Sequence, residues 1–240
     1  MKKLMVANLK MNFTKDEMID YIKGIKNQIS NNFEVVICPS FVYLSMFQNF
    51  DYKIGAQDVF YLDQGSYTGA VSPTQLKSLG VSHIIVGHSE RREYFKEDDL
   101  LIGKKIKAVL NQNIKPIFCI GETLTERQLK KTTNILKNQL LIALKNISKE
   151  EITDIIIAYE PVWAIGSGVT PSINEIKEVI LYIKKIIMNK YNLDIKVLYG
   201  GSVNKENIKS IINLEEVAGL LIGSSSLDSN YFIDMLNLIA

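Results

Sequence analysis

The sequence predicts an α/β fold, a (β/α)8 barrel formed by a single domain over residues 1–240, and three observations predict it. Short apolar runs rich in Val and Ile recur from end to end, amphipathic stretches separate them, and the runs are apolar at consecutive positions rather than at alternate ones. Strands of that kind are covered on both faces, as in a parallel sheet joined by crossover helices. Eight such units in 240 residues match the length of a closed barrel, typically ~250 residues. A doubly wound open sheet satisfies the same strand count and stands as the alternative.

In chain order, the first strand is read from Leu4 to Leu9. Thr14-Lys15-Asp16-Glu17 then has the pattern of a capping box, and Met18, Ile22, Ile25 and Ile29 recur at the three- and four-residue spacing of a helix face. Val35 to Cys38 and Ile54 to Ala56 are the second and third strands. Ser72-Pro73 places a capping residue before a proline suited to the first helical position. The next strands run from Ile84 to Val86, Ile117 to Ile120 and Ile155 to Tyr159. A long helix follows, marked by Ile176, Val179, Ile180, Ile183 and Ile187 with Lys and Glu between them. Val197 to Tyr199 and Leu220 to Ile222 complete the set. No Ser/Gly linker, low-complexity tract or shift of composition divides the chain.

Composition narrows the function. With 47% hydrophobic and 22% charged residues, the chain has the make-up of a well-packed globular protein, which excludes disorder, collagen and small disulfide scaffolds. The formal net charge is only +2 and the basic residues are scattered, so a nucleic-acid partner is not expected. No apolar run approaches the ~18 residues of a bilayer span, and Asn8 and Lys10 interrupt the amino-terminal stretch before any cleavage pattern. Neither a membrane location nor a signal peptide is expected. Cys38 and Cys119 each sit in an apolar run, which reads as buried free thiols in a reducing, cytoplasmic setting.

Polar residues and glycines follow the apolar runs directly. Asn8 and Lys10 come after the first, Gly87-His88-Ser89-Glu90 after the fourth, and Glu160 after the sixth. Gly200-Gly201-Ser202 and Gly223-Ser224 come after the seventh and eighth. In a barrel the carboxyl ends of the strands ring the active site, so these residues are expected at one mouth. Glu160 is either a rim acid paired with a lysine or, half-buried beside Ala158, Val162 and Trp163, a poorly solvated carboxylate suited to take a proton from carbon. His83 opens a strand at the far end and reads as structural. His88 precedes the helix-like start Ser89-Glu90-Arg91-Arg92, where backbone N–H groups and the helix dipole disfavour imidazolium; it is expected to stay neutral and donate a hydrogen bond. Lys10, at the end of a buried strand, requires an anion or a carboxylate, and a substrate phosphate and Glu90 are both candidates. Glycine-rich turns after the last two strands are where barrels commonly hold phosphate. Ala164-Ile165-Gly166-Ser167-Gly168 is either a plain loop or a lid beside the base.

These residues resemble the triosephosphate isomerase family over nearly the full length, from ANLKMN to GLLIGSSSL. The resemblance is carried by Asn8-Leu9-Lys10, YTGAVSP around Gly69, VGHSERREYF around His88, CIGETL around Glu122, AYEPVWAIGSG around Glu160 and YGGSV around Ser202. It implies a TIM barrel that interconverts dihydroxyacetone phosphate and D-glyceraldehyde 3-phosphate, a small phosphorylated three-carbon substrate, as a homodimer without cofactor or metal. By the same matching, Glu160 falls on the catalytic base, His88 on the neutral electrophile, Lys10 on the electrostatic clamp and Asn8 on a polar substrate contact. Gly166, Ser202, Gly223 and Ser224 fall on phosphate-binding positions, and Pro161 to Val169 on the mobile lid.

Departures from the family pattern carry their own expectations. Leu9 stands where tryptophan is usual, which alters packing more than chemistry. Ala70 stands where a glutamate usually pairs with an arginine across the dimer interface, here Arg91, so that one charge loses a partner; Thr68 is retained. Ser224 replaces the second glycine of a pair and needs room for its side chain, which points to weaker phosphate affinity. Pro171 restricts the hinge where the lid ends. Two other readings remain open: a Schiff-base aldolase with Lys10 as its nucleophile, and a phosphosugar-binding barrel without catalysis.

Overall fold

The structure, a computed structural model, describes residues 2–26, 28, 32–47, 52–165 and 170–240. Its strands are β1 (Leu4–Asn8), β2 (Glu34–Cys38), β3 (Lys53–Ala56), β4 (His83–Val86), β5 (Lys115–Ile120), β6 (Ile156–Tyr159), β7 (Lys196–Tyr199) and β8 (Gly219–Ile222). They hydrogen-bond in sequence order into a closed barrel. Every pairing is parallel, and β1 closes the ring on β8 with Leu4 opposite Gly219. That pairing excludes the open doubly wound sheet, which would leave two strand edges unpaired. Each of the eight apolar runs forms a strand.

The helices between and after the strands are α1 (Lys15–Ile25), α2 (Pro73–Ser78), α3 (Ser89–Tyr94), α4 (Asp99–Asn111) and α5 (Leu124–Gln128), then α6 (Thr132–Ala143), α7 (Lys149–Ile152), α8 (Ile173–Tyr191), α9 (Ile208–Ile212) and α10 (Ser229–Asn237). Both expected starts hold. Glu17 accepts the Thr14 N–H at 2.7 Å, and Ser72 exchanges bonds with Gln75 ahead of Pro73. Ile29, read as part of the first helix face, lies outside the described residues.

Alternation of side chains along each strand divides the apolar residues into two clusters. Leu4, Val6, Val36, Ile85, Ile117, Ala158, Leu198 and Leu221 pack together with both cysteines inside the barrel. Their neighbours Met5, Ala7, Ile37, Ile84, Phe118, Ile157, Val197 and Leu220 belong to the second, larger cluster, which the helices cover. Two buried faces explain why the strands are apolar at every position. Cys38 and Cys119 are free and buried, and burial pushes both thiols up, out of reach of ionisation.

Arg91 does not depend on an acid at position 70. It pairs with Asp58 at 3.0 Å and Glu97 at 2.6 Å, and the buried Lys105 ammonium bridges the same two carboxylates at 2.6 Å each. The four charges cancel within one chain, so Ala70 leaves no guanidinium uncompensated.

His83 opens β4 at the end of the barrel remote from the strand carboxyl ends, buried, with Nδ1 2.9 Å from the Ser82 hydroxyl. Burial, opposed by Glu34 and reinforced by Lys53, Lys115 and Lys196, lowers its pKa from the ordinary 6.5 to about 4. Between those values the unfolded chain binds a proton that the folded chain refuses, so stability falls as pH drops from 6.5 toward 4, by about 3 kcal/mol at the acid end. Urea unfolding of the parent and His83→Asn across this range should show that slope in the parent and its loss in the variant. Parallel curves would contradict a buried neutral His83.

Candidate active site

The carboxyl ends of the strands enclose one cavity of about 120 Å³. Asn8 reaches it as the last residue of β1, Lys10 two residues later, His88 just after β4 and Glu160 just after β6. Ser202 reaches it from the loop after β7, and Gly223 and Ser224 from the turn after β8. Gly166, which sequence placed with them, lies outside the described residues, as does the rest of 166–169.

Glu160 is 2% exposed, more buried than its sequence context implied. One carboxylate oxygen, Oε2, accepts the Ser89 backbone N–H at 3.0 Å, and Oε1 lies 3.1 Å from His88 Nε2. Below it sits Cys119, whose thiol is kept protonated by burial first and by the adjacent carboxylate second. Gly200 makes room for the side chain, because a Cβ there would stand 3.0 Å from Glu160 Cγ.

His88 is the N-cap of α3, and its Nδ1 accepts the Glu90 N–H at 3.3 Å. With Nδ1 accepting that N–H, Nε2 is the ring nitrogen turned toward Glu160 and the cavity.

Lys10 has φ +53°, a left-handed conformation that costs an L-residue about 1 kcal/mol or more. Several bonds hold it there. Its N–H donates to Asn8 Oδ1 at 3.2 Å, and its carbonyl accepts from the Ser40 hydroxyl and the Gln57 amide, each at 2.9 Å. Its ammonium meets Glu90 at 2.6 Å, one of the two partners sequence proposed. The strained turn aims a cation into the cavity from the end of a buried strand.

Behind Glu160 a second polar group fixes the start of the following loop. Buried Glu122 accepts from the Tyr159 hydroxyl at 3.2 Å and the Trp163 indole N–H at 3.0 Å, and the Arg127 guanidinium stacks on the Trp163 ring. The Ala164 carbonyl accepts the Ser202 hydroxyl, tying that loop to the turn after β7.

The family model described as triosephosphate isomerase matches residues 3–239 of the chain. The chain belongs to the triosephosphate isomerase family. A triosephosphate isomerase of Alkaliphilus oremlandii (strain OhILAs) is 40% identical, the match covering 98% of this chain and 99% of that one. One from Alkaliphilus metalliredigens (strain QYMF) is 42% identical over the same shares. One from Thermodesulfovibrio yellowstonii is 44% identical over 95% of both chains.

Within this triosephosphate isomerase fold, Ser89, Ser40 and Gln57 are contacts that sequence reading missed. Ser89 acts through its backbone N–H, for which no side-chain signal exists, while Ser40 and Gln57 act on the carbonyl of a residue some 30 to 47 positions away.

Strain at Lys10 yields a direct check. Lys10→Gly and Lys10→Ala remove the same ammonium, but only glycine accepts φ +53° freely. Chemical denaturation should find the glycine variant more stable by about 1 kcal/mol. Equal midpoints, or a more stable alanine variant, would show that the turn is not strained.

Proposed function

We propose that this chain catalyses the interconversion of dihydroxyacetone phosphate and D-glyceraldehyde 3-phosphate, the aldose-ketose isomerisation shared by glycolysis and gluconeogenesis, by proton transfer through an enediolate. The observation that carries the reading is the meeting of a buried carboxylate and an imidazole at 3.1 Å in a cavity that also receives the Lys10 ammonium. A volume of about 120 Å³ is far below the roughly 300–1,000 Å³ of drug-sized pockets and suits a three-carbon phosphate.

Glu160 is the base. It leaves the Ser89 N–H and removes the proton from the carbon alpha to the substrate carbonyl, then returns a proton to the neighbouring carbon. His88 donates its Nε2 proton toward the oxygen on which negative charge develops, a pairing of carboxylate base and neutral histidine already established for this family. Lys10 supplies positive charge to that oxygen and to the phosphate, while Asn8 fixes the turn that presents it. Donors arranged before the reaction stabilise developing charge without reorganising, usually the largest catalytic contribution. Gly166, together with Ser202 and the turn that carries Gly223 and Ser224, holds the phosphate.

The Lys10–Glu90 ion pair at 2.6 Å supports the cationic role over the aldolase reading, which needs a free amine as nucleophile. We further propose that residues 1–240 act as one domain in a cytoplasmic homodimer. Every residue from 62 to 70 is exposed, Thr68 among them, as are Met11, Tyr94 and Phe95, apolar side chains that a second copy would cover.

A coupled assay between the two triose phosphates, with sedimentation mass on the same sample, tests both statements. Parent chain should turn over and sediment at twice its 27.2 kDa. Glu160→Gln should keep ligand affinity and lose about 10²- to 10⁴-fold in turnover, the range of a positioned general base. Lys10→Ala should lose both affinity and rate. Unchanged turnover in Glu160→Gln would remove the base, and a borohydride-trapped adduct on Lys10 would favour the aldolase.

A further inference from the structure

We propose that the Ser224 side-chain hydroxyl is itself a ligand of the substrate phosphate and sets its affinity, an inference that rests on the phosphate-holding role given above to the turns after β7 and β8. Ser202, Ser224 and Ser225 line this end of the cavity, with Ser226 buried beside them, and three of the four have committed their single proton. Ser202 donates to the Ala164 carbonyl, Ser225 to the Val203 carbonyl, and Ser226 to the Gly223 carbonyl at 2.7 Å. A serine has one O–H to give, so none of these can serve an anion without breaking a bond within the chain. Ser224 lines the cavity, is exposed, and among the described residues its hydroxyl has no partner.

The neighbouring residue explains why a side chain is accommodated at 224 and not one position earlier. Lys10 packs against Gly223, where a Cβ would stand 3.2 Å from Lys10 Cε and 3.7 Å from Nζ. A substituent there would push on the ammonium that enters the cavity. Ser224 is exposed, so its side chain has the room that the substitution needs. An oxyanion bound on this turn therefore meets a cation from Lys10 and, beside it, an uncommitted hydroxyl. Hydrogen bonds to ionised acceptors are roughly twice as strong as neutral ones, so the substitution adds a donor rather than an obstacle.

Inorganic phosphate as a competitive inhibitor, together with the steady-state constants for D-glyceraldehyde 3-phosphate, tests this on the full chain. Ser224→Ala and Ser224→Gly should each raise the phosphate inhibition constant and KM about ten-fold, the worth of one hydrogen bond to a charged group, with kcat changing less than KM. Ser224→Thr, which restores the hydroxyl, should return both constants to within about three-fold of the parent. Thermal melts of all three variants identify any that fail to fold. Alanine or glycine variants that bind phosphate as tightly as the parent, or more tightly, would overturn the inference while leaving the isomerase reading intact. If inorganic phosphate does not compete even in the parent, the phosphate end itself is misplaced and both fall.

Discussion

Hydrogen bonding of β1 to β8 is the constraint from which the rest of the molecule follows. Once the parallel ring is closed, every strand ends on the same side, and residues separated by up to some two hundred positions in sequence converge on one mouth without further instruction. An ammonium from the end of β1, an imidazole from β4 and a carboxylate from β6 meet there because each is the first polar residue, or nearly so, after a strand that is otherwise apolar. The opposite end of the barrel carries His83, with Glu34, Lys53, Lys115 and Lys196 acting on it.

What the barrel positions, local backbone features refine. The start of α3 provides two N–H groups in succession: Ser89 holds the Glu160 carboxylate, and Glu90 holds His88 Nδ1. One helix start thereby orients both the Glu160 carboxylate and the His88 ring. Lys10 is held in a conformation that an ordinary residue avoids, by bonds to both its N–H and its carbonyl. Both devices use backbone hydrogen bonds to place side chains at the cavity.

The fold was legible because its physics is repetitive. Runs such as KPIFCI and LMVAN are apolar on both faces, and only a doubly covered strand asks for that. Closure was legible from the count of eight units in 240 residues and from the family resemblance, not from any residue of the β1–β8 pairing, which an open sheet would equally allow. Side chains that carry charge into the cavity could be read from their place after each strand, including Glu90 as a partner for Lys10. Three things escaped. The Ser89 contact is made by backbone; the charge network around Arg91 joins Asp58, Glu97 and Lys105 across loop and helix; and the uncommitted state of Ser224 depends on where its three neighbouring hydroxyls go.

The central claim is that carbon-bound hydrogen leaves the substrate as a proton and comes back as one, carried by a single carboxylate while imidazole and ammonium hold the oxygen charge. Isomerisation of dihydroxyacetone phosphate in heavy water, followed by proton NMR of the trapped product, reads this directly. Deuterium is expected at carbon 2 of glyceraldehyde 3-phosphate, because a proton on a carboxylate exchanges with solvent during the lifetime of the enediolate. Product whose hydrogen at that carbon comes only from carbon 1 of the substrate, at every extent of reaction, would indicate a direct hydride shift between the two carbons and would contradict the central claim.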